Sequence, residues 1–281
     1  MSISNARFIT KAIQRFAPVE LADRSWDNVG LLLESPFEKS SSNNVVITND
    51  LTEKVFNSIV ENHPNTSVII SYHPPIFKPL KCLTLDEPIQ RTLLKCVGAG
   101  ISVYSPHTSL DAARDGINDF LLNAAVGVKV PSSPIIPSND KNEGMGRYVS
   151  LDYPQQIGNF INNVKNNLNL KHIQFADGGK HNINSIAVCA GSGSSILRSA
   201  PKVDLWVTGE MGHHDVLAAV AKGISVILTN HSNSERMYLQ SDFKNSLQKA
   251  IIDEINERGE IVDKEFTLNV IDVDQDPLIT V

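Results

Sequence analysis

The chain has 281 residues, 41% of them hydrophobic and 20% charged, with a formal net charge of -6. This is the composition of a soluble α/β protein of two domains or two lobes, with no bulk attraction to nucleic acid and no basic run to supply a local one. The three cysteines, Cys82, Cys96 and Cys189, are odd in number and never form a CxxC pair, which argues against a disulfide framework or structural zinc and for a reducing compartment. No apolar run approaches the roughly 20 residues a membrane helix needs.

Ile3, Phe8, Ile9, Ala12, Ile13 and Phe16 lie close to helical spacing, as in a first helix packed on a sheet, and Pro18 is expected to end it. Arg7, Lys11 and Arg15, with no acid before Glu20, also fit a weak mitochondrial presequence. The packed helix is the favoured reading, so cytoplasm is expected and mitochondrion is the alternative. Strand-like and helical runs then alternate as in βα units. Strands are expected at 45–48, 68–71 and 101–104, and helices at 52–62, 86–98 and 115–124. Residues 129–143, KVPSSPIIPSNDKNE, have the Pro, Ser, Asn and Asp content of a linker. They divide an N-terminal lobe, 1–128, from a C-terminal lobe, 144–281. The second lobe opens with GMGRYVSLD as a strand, a helix over 155–168 and a strand near 173–176. Strands at 186–190, 204–207 and 224–228 follow, running into GSGSS, TGEMGHHD and TNHSNSE.

The two lobes share wording. Residues 100–111 read GISVYSPHTSLD and residues 223–235 read GISVILTNHSNSE, so each lobe carries a Gly-Ile-Ser-Val strand start followed by a histidine and an acid four residues apart. The pairs are His107 with Asp111 and His231 with Glu235, and His73 takes the place that His213 and His214 hold in the second lobe. Loops after parallel strands gather at one sheet edge, where open α/β sheets bind ligands. Imidazole with carboxylate and no neighbouring thiol suits Zn, Mn, Fe or Ni, and a carboxylate that bridges two ions would allow two per chain.

Other features read as structural. GSGSS from Gly191 lacks the lysine of a phosphate loop and is better taken as a tight turn. His213, His214 and Asp215 divide evenly between a helix N-terminal turn and a site lining. Trp26, Asp27 and Asn28 are expected to cap a loop more than to line a pocket, and Pro74 and Pro75 to stiffen the loop that presents His73. His63, His172 and His181 stand alone.

SWDNVGLL at 25–32, SYHPPIF at 71–77, HTSLDAA at 107–113, GMGR at 144–147, TGEMGHHD at 208–215 and NHSNSER at 230–236 together resemble the NIF3-like family. Its bacterial members are often labelled type 2 GTP cyclohydrolase-like. The resemblance spans nearly the whole chain. It implies an α/β fold of two similar lobes with a metal site in the crevice between them, and a homohexameric ring with dinuclear metal sites facing its interior. Carried over by position, the family's ligands fall on Tyr72 and His73, on Asp111, and on His231 and Glu235. Tyr72 stands where the family pattern often has histidine. A neutral phenol is a poor ligand, so one metal is expected to bind firmly and a second weakly.

Two functions follow. One is a metal-dependent hydrolase of a nucleotide or other phosphorylated small molecule, with Glu210, His107 or His214 carrying the proton. The other is a non-catalytic metal-binding scaffold, since family members are also described as partners of transcriptional regulators.

Overall fold

The structure, a computed structural model, describes residues 4–38, 41–258 and 265–280; Ile3 lies outside them. The chain forms α1 (Asn5–Gln14), β1 (Gly30–Leu33), β2 (Asn44–Thr48), α2 (Glu53–Asn62), β3 (Thr66–Ser71), α3 (Pro88–Ala99), β4 (Ser102–Ser105) and α4 (Thr108–Ala112). Next come α5 (Ile117–Val126), β5 (Ile136–Pro137), β6 (Gly144–Met145), β7 (Arg147–Gln156), α6 (Ile157–Asn167) and β8 (Gln174–Ala176). The remainder is β9 (Asn182–Ser192), α7 (Ser194–Leu197), β10 (Leu205–Glu210), α8 (His213–Ala221), β11 (Ser225–Leu228), α9 (Arg236–Tyr238), α10 (Lys244–Arg258) and β12 (Thr267–Val270). No described helix is long and apolar enough to cross a membrane.

Two compact units emerge, each made of two segments: Met1–Leu110 with Leu239–Asp274, and Asp111–Tyr238 with Gln275–Val281. The first change of unit falls at 110/111. The reason is that α5 packs within the second unit, where Asn163 Nδ2 donates to the Ala125 and Val126 carbonyls and Asn167 Nδ2 to that of Ala124. The expected linker is itself structured, since β5 pairs antiparallel with β6 and Ser133 bridges Tyr148. The chain returns to the first unit through α10 and β12.

The sheet of the first unit runs β1-β4-β3-β2-β12, with β12, β2, β3 and β4 parallel and β1 antiparallel at the edge. Alternate residues feed two faces. Val46, Ile69 and Val103 pack with Val55, Phe56 and Ile59 of α2 and Cys96 of α3. On the other face Gln14 of α1 donates to the Tyr104 hydroxyl at 3.0 Å. Phe8, Ile9, Ala12 and Ile13 of α1 are buried, and Arg15 at its C-cap pairs with Glu254 and Glu257 of α10. That agrees with a packed first helix, which ends at Gln14, four residues before Pro18.

The sheet of the second unit runs β7-β9-β10-β11-β8, with β9, β10 and β11 parallel and both edge strands antiparallel. Each unit therefore holds three consecutive parallel strands joined by helices, β2-β3-β4 and β9-β10-β11. The GISV repeat marks the last strand of each triple. Its glycine, with φ of 79° at Gly100 and 74° at Gly223, stops a helix. The Ile101 N–H reaches the Cys96 carbonyl and the Ile224 N–H that of Ala219, both six-residue closures of a left-handed helix end.

Candidate functional site

In the first unit β2, β3 and β4 run parallel, so the loops bearing Asp50, His73 and His107 leave the same edge of the sheet. His73 Nδ1 lies 2.9 Å from Asp50 Oδ1 and 3.2 Å from Asn49 Nδ2. The Asp50 turn is held by Asp274, whose Oδ2 accepts from Thr48 Oγ1 at 2.9 Å, Asn49 N at 2.6 Å and Asp50 N at 3.1 Å. His107 has a φ of 30°, a conformation that a non-glycine residue adopts only under local constraint. The constraint is visible. Its Nδ1 donates to Asp27 Oδ1 at 2.7 Å, while Asp27 Oδ2 accepts from Thr108 Oγ1 at 2.5 Å and from Thr108 N at 3.2 Å.

The Asp27 side chain is fully buried. Burial pushes its pKa up, and the hydrogen bond and charge of His107, with Thr108 and the Asn28 N–H, outweigh this and hold it below the ordinary carboxylate value. Tyr72 is only 2% exposed. Its ring centroid lies 5.0 Å from that of His73 and 5.4 Å from that of His107. The phenol at this position thus serves as a packing surface between two imidazoles.

In the second unit β9, β10 and β11 likewise run parallel. After β11 the chain passes Asn230, at φ 71°, into a 3-10 turn over Ser232–Ser234 that sets His231 and Glu235 on either side. His231 Nδ1 lies 2.9 Å from Glu210 Oε1, at the end of β10, and Nε2 lies 3.5 Å from Glu235 Oε1. Glu235 is buried at 1% exposure. Ser234 Oγ accepts from Gly191 N at 2.8 Å and donates to His231 O at 2.6 Å, and Asp276 Oδ2 accepts from Ser232 N at 3.1 Å and Ser232 Oγ at 2.8 Å.

A Cβ on Gly191 would lie 2.8 Å from Glu235 Oε1 and 3.0 Å from His231 Nε2, so glycine keeps open the space against both donors. GSGSS, expected as a tight turn, instead closes β9 and opens α7 through Gly193; its first residue spares that space, and the Gly193 N–H is taken by Thr208 Oγ1 at 3.1 Å. A buried carboxylate beside an imidazole whose other nitrogen is fixed by a second carboxylate is a donor set that fits a divalent metal. No thiol competes: burial, then the negative charges of Asp111 and Glu235, push the Cys189 thiol far above its ordinary pKa.

The remaining expected residues have their places. Asp111 lies in α4, and its carbonyl accepts from Asn118 Nδ2 at 3.0 Å. Glu210 touches His231, as an orienting carboxylate would. His213 and His214 are exposed in the first turn of α8, their rings 5.4 Å apart, and Asp215 pairs with Arg198. Asp50, Asp274 and Asp276 carry no mark in the sequence as site residues. None stands at a fixed short spacing from the histidine it serves.

Arg147, the last residue of GMGR, is buried at 1% exposure. It bonds Asp119 Oδ1 at 2.9 Å and the carbonyls of Ala113 at 2.8 Å, Gly144 at 2.5 Å and Gly146 at 2.8 Å, gathering the turn after Asp111.

Comparison with known proteins gives the family. A Schizosaccharomyces pombe protein named Protein NIF3 homolog is 42% identical over 239 residues, covering 83% of this chain and 85% of its own length. The Saccharomyces cerevisiae NGG1-interacting factor 3 is 36% identical, covering 85% of this chain and 89% of its own length. Among solved structures, a Bacillus cereus protein related to NIF3 superposes with a TM-score of 0.78 at 19% identity, covering all of both chains. Reduced HcgD from Methanocaldococcus jannaschii gives 0.75 at 23% identity, covering 95% of this chain and 97% of its own. The family profile Duf34/NIF3 (NGG1p interacting factor 3) matches residues 4–265, and the chain belongs to that family.

Proposed function

We propose that this chain is a metal-dependent hydrolase of a nucleotide or other phosphorylated small molecule, with His231 and Glu235 as donors to one divalent cation and His73 added to them by the family resemblance. The observation that carries the reading is the arrangement at His231: Nδ1 fixed by Glu210, Nε2 beside the buried Glu235, and the Cβ of residue 191 left out. His73 matches it in kind, with Nδ1 engaged by Asp50. Zinc, manganese, iron and nickel all accept such donors. A cation so held supplies Lewis acidity toward a phosphoryl oxygen and makes water a nucleophile near neutral pH.

The protein's own part is to orient and to move protons. Asp27 fixes the tautomer of His107 by accepting from Nδ1, which makes Nε2 the nitrogen that exchanges a proton with the reacting water or leaving group. This favours His107 over Glu210 and His214 as the proton carrier. Asp111 is the remaining carboxylate of the set and would serve a second, weaker ion. Tyr72 is buried between two imidazoles where another nitrogen donor would be needed.

Metal analysis after exhaustive dialysis should find one ion per chain, lost on His231→Ala; two retained ions would overturn the single-ion reading. Manganese- or zinc-loaded protein should hydrolyse at least one member of a panel of phosphoesters and nucleotides, and Glu235→Gln should abolish that turnover. The name of the Saccharomyces cerevisiae relative favours a second reading, a metal-containing partner of transcription-related proteins. It gains if metal binds, no panel member turns over, and a partner is held equally by wild type and Glu235→Gln.

A further inference from the structure

Next to His107 two large aromatic rings face solvent. Trp26 is 52% exposed and Phe77 46% exposed, with ring centroids 5.9 Å apart and planes inclined at 54°. Leaving two such surfaces wet forgoes a sizeable hydrophobic gain. Both are nevertheless fixed in place. The Trp26 indole N–H donates to Asp23 Oδ2 at 2.9 Å, and Asp23 Oδ1 accepts from Ser25 Oγ at 2.6 Å. Asp23 N in turn donates to Thr108 Oγ1 at 3.1 Å.

The loops carrying the rings are tied together, because Asn28 Nδ2 donates to the Ile76 carbonyl at 2.5 Å. The Trp26 ring meets His107 edge-on, at 5.8 Å and 84°. With its only polar group spent on Asp23, the indole has its π face left to offer, and a face recognises a flat ring. Trp26 and Asp27 are consecutive, so the segment that orients His107 also presents the platform. Lys78, exposed and next to Phe77, adds positive charge for an anionic ligand.

We infer that Trp26 and Phe77 form a stacking platform for a planar heteroaromatic ring, so that the ligand of this site is a phosphorylated compound bearing a nucleobase. This deepens the hydrolase reading and rests on it for the location of the reacting group. Stacking has its own readout, because Trp206, the other tryptophan, is buried at 6% exposure and can be replaced by phenylalanine to leave Trp26 as the only indole fluorophore.

Metal-stripped Trp206→Phe protein should show saturable quenching by AMP and GMP and none by ribose 5-phosphate. In the otherwise native chain, calorimetry should find nucleotide affinity lowered about tenfold or more by Trp26→Ala and largely kept by Trp26→Tyr. Equal affinity for ribose 5-phosphate and the nucleotides, or full affinity in Trp26→Ala, would overturn the platform. So would a change in self-association of Trp26→Ala with nucleotide affinity intact, which would assign the rings to an interface. Since no metal or turnover enters the measurement, quenching without hydrolysis would defeat the hydrolase reading alone.

Discussion

Glu210 and Asp27 do comparable work in the two units, each carboxylate engaging Nδ1 of an imidazole at a strand end, 2.9 Å away for His231 and 2.7 Å for His107. A carboxylate behind a ligating histidine raises its basicity and fixes its ring, and removing such a group weakens metal binding about 10- to 100-fold. Glu210→Gln is therefore expected to lower metal affinity by that factor in a chelator-competition titration. If Glu210 were instead the proton carrier, the loss would fall on kcat with metal affinity unchanged. Asp27 has a different signature. Its folded-state pKa is depressed, so its contribution to stability is complete above the unfolded value near 4 and drains away as pH falls through the folded one. Urea unfolding as a function of pH should show a shallower acid limb in Asp27→Asn than in wild type, with the two curves parallel above about pH 5.

At the level of elements, the repeated Gly-Ile-Ser-Val tetrad is a helix stop followed by a strand start, and its two copies carry different constraints. Alanine at Gly223 meets only the Gly178 carbonyl at 3.7 Å, so it would suffer the left-handed backbone alone, a cost of about 1 kcal/mol. Alanine at Gly100 would bring its Cβ to 2.5 Å from the Phe37 carbonyl, and backbone there must move. Gly100→Ala should thus lower the urea midpoint at least twice as far as Gly223→Ala. Periodicity made the parallel triples legible, because their strands are buried runs set between amphipathic helices. The edge strand β12 was not legible: TLNV alternates polar and apolar residues over only four positions, too short a run to mark a strand without its partner β2. Nor was the role of Arg147, a charge whose burial depends on carbonyls at 113, 144 and 146 that sequence does not bring together. Lysine cannot reproduce that planar fork. Arg147→Lys should destabilise the protein by about 2–4 kcal/mol in chemical denaturation, more than a surface Arg→Lys change would.

For the molecule as a whole, each unit is built from two separated stretches of chain, and the tripeptide Asp274, Gln275, Asp276 straddles the third change of unit. A boundary sought as a single polar linker could not reveal this, since composition marks where chain is solvated and not where it returns. The histidine and acid spacings were legible as donors, whereas the groups that hold them lie more than 40 residues away in three cases: Asp27 at His107, Asp274 under the Asp50 turn and Asp276 under the His231 turn. Asp274 is 8% exposed and accepts three hydrogen bonds, two of them from backbone N–H groups that would be stranded without it. Asp274→Ala should therefore lower global stability by about 2–3 kcal/mol. Asp276 lies nearer solvent and accepts from Ser232, directly after a metal-ligand candidate, so water can replace much of what its removal strips. Asp276→Ala should shift the denaturation midpoint little and instead weaken metal affinity several-fold, because the turn that sets His231 against Glu235 loses its anchor. Equal losses of stability in the two variants, with metal affinity unchanged in Asp276→Ala, would show that the C-terminal carboxylates serve folding alone.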